Sequence, residues 1–322
     1  MITQSKLAKL ANVSVSTISK AFSMSSEVNE ETREHIFNIA RKYDCFKKFY
    51  SAKYPKYVVA VICPEFKSTG FTRILEALQT HFSENKCDIC VAATKFSAVT
   101  ELELLEYYVN YVKVDAVILF YDKIQIPDYV DIPVVRMFCR TTSNKNNVIS
   151  ATVNYKDAFI KTLYEFKKKG ITDIGFIGET FTDNKQLIFE EAMRELSIPL
   201  KEEFISVVSE RFERGGYEAT KRFFQNKKLP KLIFCAYDYM AYGALRCVID
   251  HGLKIPEDIE IMGIDNMPQS EYTVPSITSM SYNENIFCAE VVKTVFKMMA
   301  GEECSENISA TLRLCKREST TI

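Results

Sequence analysis

The chain reads as an α/β protein with a small all-α segment at its N-terminus and two tandem lobes, each built on a parallel sheet. Three observations carry that reading. From Tyr57 onward, short apolar runs alternate with helices of about a dozen residues, and the rhythm runs through twice. The first 43 residues show helical spacing only. Finally, residues 1–57 hold ten Lys/Arg against five Asp/Glu and the rest hold 31 against 37, so a net charge of -1 conceals a basic head on an acidic body.

The head comes first. Thr3 is a natural N-cap, and Leu7, Ala8, Leu10 and Ala11 recur at helical spacing behind it. Asn12 interrupts the pattern and is among the few residues that tolerate a left-handed turn. Ser14 then caps a second short helix with Ile18 and Phe22 (or Ala21) inward, and the small Ala8 sits where the two helices cross. Two short helices about a tight turn make a helix-turn-helix, whose second helix lies in the major groove with its first residues on base edges. A third segment, Asn29 to Tyr43, puts Ile36, Ile39 and Ala40 on one face and closes a miniature core. An ordinary helical hairpin is the plain alternative, but a basic charge on a packed head suits a polyanion.

The body follows in order. YVVAVICP, CDICVAAT, VDAVILFY and IPVVRMF are strands, with helices at Phe71–Phe82 and Thr100–Val112. In the second copy DIGFIGE, FISVVS, KLIFCAY and IEIMGID are strands, with helices at Lys156–Lys169, Asn184–Leu196, Gly216–Gln225, Met240–His251 and Asn285–Ala300. Continuous apolar strands of this kind are covered on both faces, and ligands bind beyond their carboxyl ends. With 322 residues, 47% hydrophobic and 26% charged, the chain is long enough for two or three globular units.

The catalytic and metal signals are absent. GGYEA and DIGFIGE lack phosphate-loop spacing, no G-x-S-x-G or HExxH occurs, and His35, His81 and His251 lie far apart. Cys87-Asp-Ile-Cys90 is a lone CxxC in a strand-like run with no second pair at zinc spacing, and several other cysteines sit in apolar runs as small hydrophobes. No catalytic residue, metal or cofactor is therefore expected. Without a signal peptide or membrane-length apolar run, the expectation is a cytoplasmic protein with reduced thiols and no membrane partner.

Lys6 to Ser23, K-L-A-K-L-A-N-V-S-V-S-T-I-S-K-A-F-S, resembles the head of the lactose/galactose-repressor (LacI/GalR) family, D-V-A-x-x-A-G-V-S-x-x-T-V-S-R-V-L-N. The pattern A-x-x-A-x-V-S-x-x-T-(V/I)-S is intact; Lys6, Asn12, Lys20 and Ser23 depart from it. The resemblance continues in order through VDAVIL, IPVV, DIGFIGE, YDYMAYGALR, IPEDIEIMGID and VPSITSM. It implies a helix-turn-helix domain at 1–44, a hinge connector at 45–57, and a periplasmic-binding-protein-like body at 58–322 for effector binding and dimerisation. Within the body, lobe 1 would take about 58–153 plus 285–306 and lobe 2 about 155–282 plus 309–318, with crossings near 153–155, 282–285 and 307–310.

The same resemblance implies a sequence-specific DNA-binding regulator, a repressor, acting as a homodimer on a pseudo-palindromic operator. The dimer faces would come from the Phe71–Phe82 and Met240–His251 helices. Thr3, Ser14, Val15, Ser16, Thr17, Ser19, Lys20 and Asn29 are the expected DNA contacts, with Val15 suited to a thymine methyl and Lys20 to guanine. In the family the connector forms a hinge helix whose Leu wedges into the minor groove; here that position falls near Ala52. The connector is thus expected to grip phosphates through Lys47, Lys48, Lys53 and Lys56, with Phe49 or Tyr50 the wedge if the operator is kinked.

By resemblance the effector cleft takes Asp265 of MGIDN as an acceptor for hydroxyls, and Lys185 where the family has an Arg clamp. Lys for Arg exchanges a bidentate fork for a point charge. Phe138 stands where a strand-end Asp is common and Tyr237 where an Asn is, while Phe71 and Phe212 are candidates to stack on a ring. For Phe71 and Phe138 the alternative is core packing, and Asp238 reads as a structural cap. A sugar or sugar phosphate is the expected small molecule, with a lean towards an anion, whether it induces or corepresses. Two other classes compete: a transport-type sugar-binding protein, which has no use for Thr3 to Tyr43, and a sugar-acting enzyme, which needs a second converging carboxylate.

Overall fold

The computed structural model describes residues 2–50, 57–120, 124–139, 145–304 and 307–322. The head is three helices, α1 (Gln4–Ala11), α2 (Val15–Phe22) and α3 (Glu30–Lys42), around Leu7, Ala8, Ala11, Ile18, Ala21, Phe22, Ile36, Phe37 and Ala40. Each helix start has its orphan amides capped by a side chain. Thr3 Oγ1 accepts from the Lys6 amide at 3.2 Å, Ser14 Oγ from Thr17 at 3.0 Å and Asn29 Oδ1 from Thr32 at 2.8 Å. Asn12 ends α1 in the left-handed region at φ 52°. Leu10, which spacing places among the inward residues, is exposed; Leu7, Ala8 and Ala11 make the inner face of so short a helix. Arg33, not singled out by the sequence, is buried and donates to the Ser25 and Val28 carbonyls at 2.7 and 2.8 Å, so it ties down the loop between α2 and α3.

The head does not stop at residue 44. A short helix, α4 (Phe46–Phe49), folds back, and Phe46, Phe49 and Tyr50 close an aromatic cluster on Phe22 and Phe37 with ring centroids 5.0–6.1 Å apart. The Arg41 guanidinium lies 4.8 Å from the centre of the Phe46 ring, and Lys48 Nζ donates to the Ile2 carbonyl at 3.2 Å. Phe49 is 8% exposed. This corrects the start of the connector at 45: burying Phe49 and half-burying Phe46 and Tyr50 against the head outweighs solvating them. It also removes Phe49 and Tyr50 from the role of spare wedge in this conformation. Ala52, Lys53 and Lys56 lie outside the described residues, as does the side chain of Lys47.

The first lobe comprises β1 (Tyr57–Cys63), α5 (Thr69–Glu84), β2 (Cys87–Ala93), α6 (Ala98–Glu106) with a π-helical turn (Tyr107–Val112), β3 (Ala116–Phe120), β4 (Val134–Met137) and β5 (Val148–Asn154). The second comprises α7 (Tyr155–Lys168), β6 (Ile174–Glu179), α8 (Asp183–Glu195), β7 (Ile205–Val208), α9 (Phe212–Gln225), β8 (Leu232–Cys235), α10 (Asp238–Asp250), β9 (Glu260–Ile264) and β10 (Thr278–Ser281). The chain then returns for α11 (Glu284–Met299) and β11 (Ile308–Thr311) before β12 (Arg313–Cys315). The sheets run β11-β5-β4-β3-β1-β2 and β12-β10-β9-β8-β6-β7. Every pairing is parallel except β12 on β10, which is antiparallel. Parallel strands covered on both faces must be apolar throughout, and β3, β4, β6, β8 and β9 are buried along their whole length.

Two of the boundaries that differ from the sequence reading bear on how the lobes are built. Ile308 to Thr311 pair with Ala151 to Asn154 of the first sheet, so the last crossing falls at Leu312 and the second lobe regains the chain only at Arg313. Helix α9 begins at Phe212 rather than Gly216, and so takes Gly215 and Gly216 into its interior. The reason is tertiary. A Cβ on Gly216 would lie 2.0 Å from the Met240 carbonyl oxygen, and one on Gly243 would lie 1.9 Å from that of Glu213. Helices α9 and α10 therefore pack backbone against backbone, an approach that only glycine permits. Among the described residues no helix is long and apolar enough to cross a membrane.

Candidate functional site

Two surfaces gather the residues that the sequence singles out. On the head, α2 turns Val15, Ser16 and Ser19 outward, with Val15 43% exposed, while Ile18, Ala21 and Phe22 hold it to the core. Thr17 is half-buried and its hydroxyl meets Ser14 Oγ at 2.8 Å. Lys20 is half-exposed and pairs with Glu27 at 2.5 Å. Thr3, Ser14 and Asn29 are exposed but engaged as caps, so what they present with their helix N-termini is a set of amides and the positive dipole end that suits phosphate. Lys48 is exposed and reaches the Ile2 carbonyl, next to Thr3.

The second surface is a cavity of about 950 Å3 between the lobes, lined by loops that follow strand ends. Phe71, Phe138, Lys185, Phe212, Tyr237 and Asp265 all line it. Lys185 Nζ donates to the Ala236 carbonyl at 2.9 Å, lies 3.6 Å from Asp265 Oδ1 and sits 5.4 Å from the centre of the Tyr155 ring. Tyr237 OH accepts from the Phe212 amide at 3.0 Å, and burial holds its phenol well above the ordinary value. Phe71 and Phe138 also touch the core ring Phe120, with centroids 6.1 and 5.7 Å away, so packing and cleft lining coexist in both. Left-handed backbone recurs in and beside the cavity, at Lys95 (φ 54°), Phe96 (φ 63°), Phe138 (φ 61°), Phe212 (φ 59°), Asp265 (φ 96°) and Asn266 (φ 47°). Strain of this kind persists where the surrounding structure over-determines it and clusters at binding sites.

Asp238 stays out of the cavity. It is fully buried at the start of α10, accepting from the Met267 amide at 2.7 Å and from the Ser270 and Ser279 hydroxyls at 2.6 Å each. It pins the loop after β9, and hence the backbone of Asp265.

The sequence reading misses Arg211, Glu179, Tyr155, Tyr282 and Glu284, which also line the cavity, and Glu65 and Arg73 beside it. Arg211 stands just after a strand, where the switch-point rule would have found it; its partners are distant in sequence and leave no local signal. Arg73 Nε meets Glu284 Oε2 at 3.0 Å. Burial nonetheless pushes the Glu284 carboxyl up to about 7, with Arg73 pulling against it and the Asp265 charge adding to the rise. The folded state therefore binds a proton that the unfolded chain has released above its ordinary value near 4.5. Stability should fall as pH rises through that window, by at most about 3 kcal/mol from this group. Glu284→Gln should flatten the slope in urea titrations between those pH values; an unchanged slope would clear Glu284 as its source. Among the described residues no cluster of three or more His, Cys, Asp or Glu is arranged to hold a metal.

Comparison with known proteins bears on both surfaces. Residues 5–44 match the family described as bacterial regulatory proteins, lacI family, and residues 163–320 match the periplasmic binding protein-like domain. The chain is 25% identical to the HTH-type transcriptional regulator MalR of Clostridium butyricum over 329 residues, covering 97% of each. It is 23% identical to catabolite control protein A of Priestia megaterium over 314 residues, covering 94% of each. Among solved structures, the lac repressor dimer bound to operator and the anti-inducer ONPF aligns with a TM-score of 0.75 at 15% identity, over 99% of this chain and 98% of that one. The regulator CelR in complex with cellobiose aligns with a TM-score of 0.70 at 20% identity, over 99% of this chain and all of the other.

Proposed function

The chain belongs to the lacI family of bacterial regulatory proteins, and from that premise we propose that it is an operator-binding transcriptional repressor switched by a sugar-class effector held between its lobes. One observation carries the reading. A helix-turn-helix head with an outward α2 face shares a chain with a two-lobed cavity whose walls offer carboxylates, cationic side chains and aromatic rings together. One such head makes too few base contacts for specificity, whereas a homodimer reads two half-sites about one helical turn apart. The α5 and α10 helices are the proposed dimer faces.

In the cavity Asp265 accepts from hydroxyls, Lys185 donates to them, and Phe71, Phe138, Phe212 and Tyr237 offer ring faces and edges. The Lys185–Asp265 pair neutralises itself, which favours a neutral polyol over the anion that Lys185 alone would attract. A sugar phosphate remains the second reading, because Arg136 and Arg211 also line the cavity. Thermal-shift screening separates the two. A ligand at 100 times its dissociation constant stabilises by about 2.7 kcal/mol.

On DNA, Val15, Ser16 and Lys20 are the proposed base readers, with Thr3, Ser14, Thr17, Ser19, Asn29, Lys47, Lys48 and Lys53 on the backbone. Lys20 must leave Glu27 to reach a base, so its contact is made only in the specific complex. Lys20→Ala should weaken operator binding by about 1–3 kcal/mol and relax one position of the site, read by mobility shift against specific and random duplexes. Equal affinity of variant and wild type on both duplexes would remove α2 as the recognition helix.

A further inference from the structure

Besides the crossing strands and the Arg73 hydrogen bonds to the Asp265 and Asn266 carbonyls, the lobes meet through a cluster of side chains. Glu65, on the loop after β1, places Oε2 2.7 Å from Arg211 Nη1, and Arg211 Nε lies 3.4 Å from Glu179 Oε1. Phe96, on the loop after β2, stacks on Phe181 of the second lobe with centroids 3.8 Å apart and planes 7° from parallel. The Arg211 guanidinium lies 5.1 Å from the Phe96 ring centre, 5.5 Å from that of Phe181 and 4.7 Å from that of Phe212. Alongside, Thr69 Oγ1 and Tyr239 OH share a 2.7 Å hydrogen bond across the same gap. First-lobe Glu65, Phe96 and Thr69 thus meet second-lobe Arg211, Phe181 and Tyr239.

We propose that this constellation is an inter-lobe latch, which ties the two lobes together across the cavity. The ion pair is well placed to do so. Glu65 and Arg211 are mostly withdrawn from water; burial pulls the Arg211 guanidinium down, but the Glu65 and Glu179 carboxylates outweigh it and hold the group above its ordinary value. A pair in that setting is costly to break from one side, since the remaining charge is left buried. The rings add a contact that excludes water from the pair, and a guanidinium over aromatic faces is favourable in its own right.

The latch is also poised rather than locked. Glu65 Oε1 is buried without a hydrogen-bond partner, and Lys95 and Phe96 both hold left-handed backbone, at φ 54° and 63°. Each carries a local free-energy cost, which the contacts across the gap offset. An effector that changes the arrangement of the lobes would act on these contacts. This last consequence for regulation rests on the function proposed above; the latch itself does not.

The experiment uses the full-length protein without DNA or effector. Wild type, Glu65→Gln, Phe181→Ala and the double variant are compared by hydrogen exchange over residues 65–71 and 179–184, and by small-angle scattering. Exchange in β3 and β8 reports whether each variant keeps its fold. The expected result is exchange at least about tenfold faster in the two cleft segments of the double variant, with a larger radius of gyration and with β3 and β8 unchanged. Cleft segments that exchange as fast in wild type as in the variants, at equal radius of gyration, would overturn the latch. Where a single variant also loosens β3 or β8, the double-mutant cycle of Glu65→Gln with Arg211→Gln replaces it, and additivity in that cycle would equally overturn the pair. Operator affinity of the double variant then tests the regulatory consequence. Coupling of the usual size predicts a change of about fivefold or more. An open cleft with unchanged operator affinity would leave the latch standing and overturn its link to DNA.

Discussion

Replacing Asp265 with alanine will abolish the effector response while operator binding stays near wild type. The carboxylate lies in the cavity beside Lys185, on the second lobe. A hydrogen bond to a charged acceptor contributes about 1.5–3 kcal/mol, so losing one weakens the ligand by roughly tenfold to more than a hundredfold. The substitution also leaves the Lys185 ammonium without its carboxylate in a confined site, which adds to the loss. Because an effector controls DNA only through its differential affinity for two lobe arrangements, a ligand that no longer binds no longer switches. Asp265 sits at φ 96°, where alanine is strained. Asp265→Asn therefore accompanies it: asparagine tolerates such backbone better than alanine and removes the charge alone. Calorimetry on both variants decides the assignment. An effector that binds Asp265→Asn, Asp265→Ala and Lys185→Ala as tightly as wild type would place the ligand elsewhere.

Gly243→Ala will cost the second lobe about 3 kcal/mol or more and lower its melting midpoint by about 6 °C or more. The added Cβ would lie 1.9 Å from the Glu213 carbonyl oxygen and 2.6 Å from the Tyr217 amide nitrogen. Both are backbone atoms inside α9, so no side chain can swing aside and the two helices must separate. Gly252→Ala is the matched control. It meets nothing within 4 Å and carries only the strain of φ 76°, about 1–2 kcal/mol. A Gly243→Ala protein that melts with or above Gly252→Ala would mean that α9 and α10 are not packed backbone to backbone. Helix α10 also starts at the cavity, so the same variant should loosen the effector along with the fold.

The boundary between the legible and the illegible follows the range of each interaction. Helix starts at Thr3, Ser14 and Asn29 and the turn at Asn12 depend on contacts within four residues, and they read directly from the letters. The fully buried strands and most helices read equally well, because an apolar run buried on both faces looks the same wherever it is placed; β5, β10 and β11, shorter in apolar run or partly exposed, are not named as strands in the letters. The six cleft residues came from motif resemblance, and all six line one cavity, since the ends of parallel strands bring their loops to one edge. Phe46, Phe49 and Tyr50 were read as connector because nothing local says which core an aromatic residue will join; the head's own ring cluster decides it.

Short-range periodicity and capping make the head and the strand-helix alternation of the two lobes readable in the letters, and family resemblance points to the cleft. That Ile308 to Thr311 complete the first sheet, that Gly216 and Gly243 lie where two backbones touch, and that Arg211 finds Glu65 are settled in the folded chain. Those choices depend on which free partner lies nearest once the chain is compact, and residues 4 Å apart in space can stand more than a hundred apart in sequence.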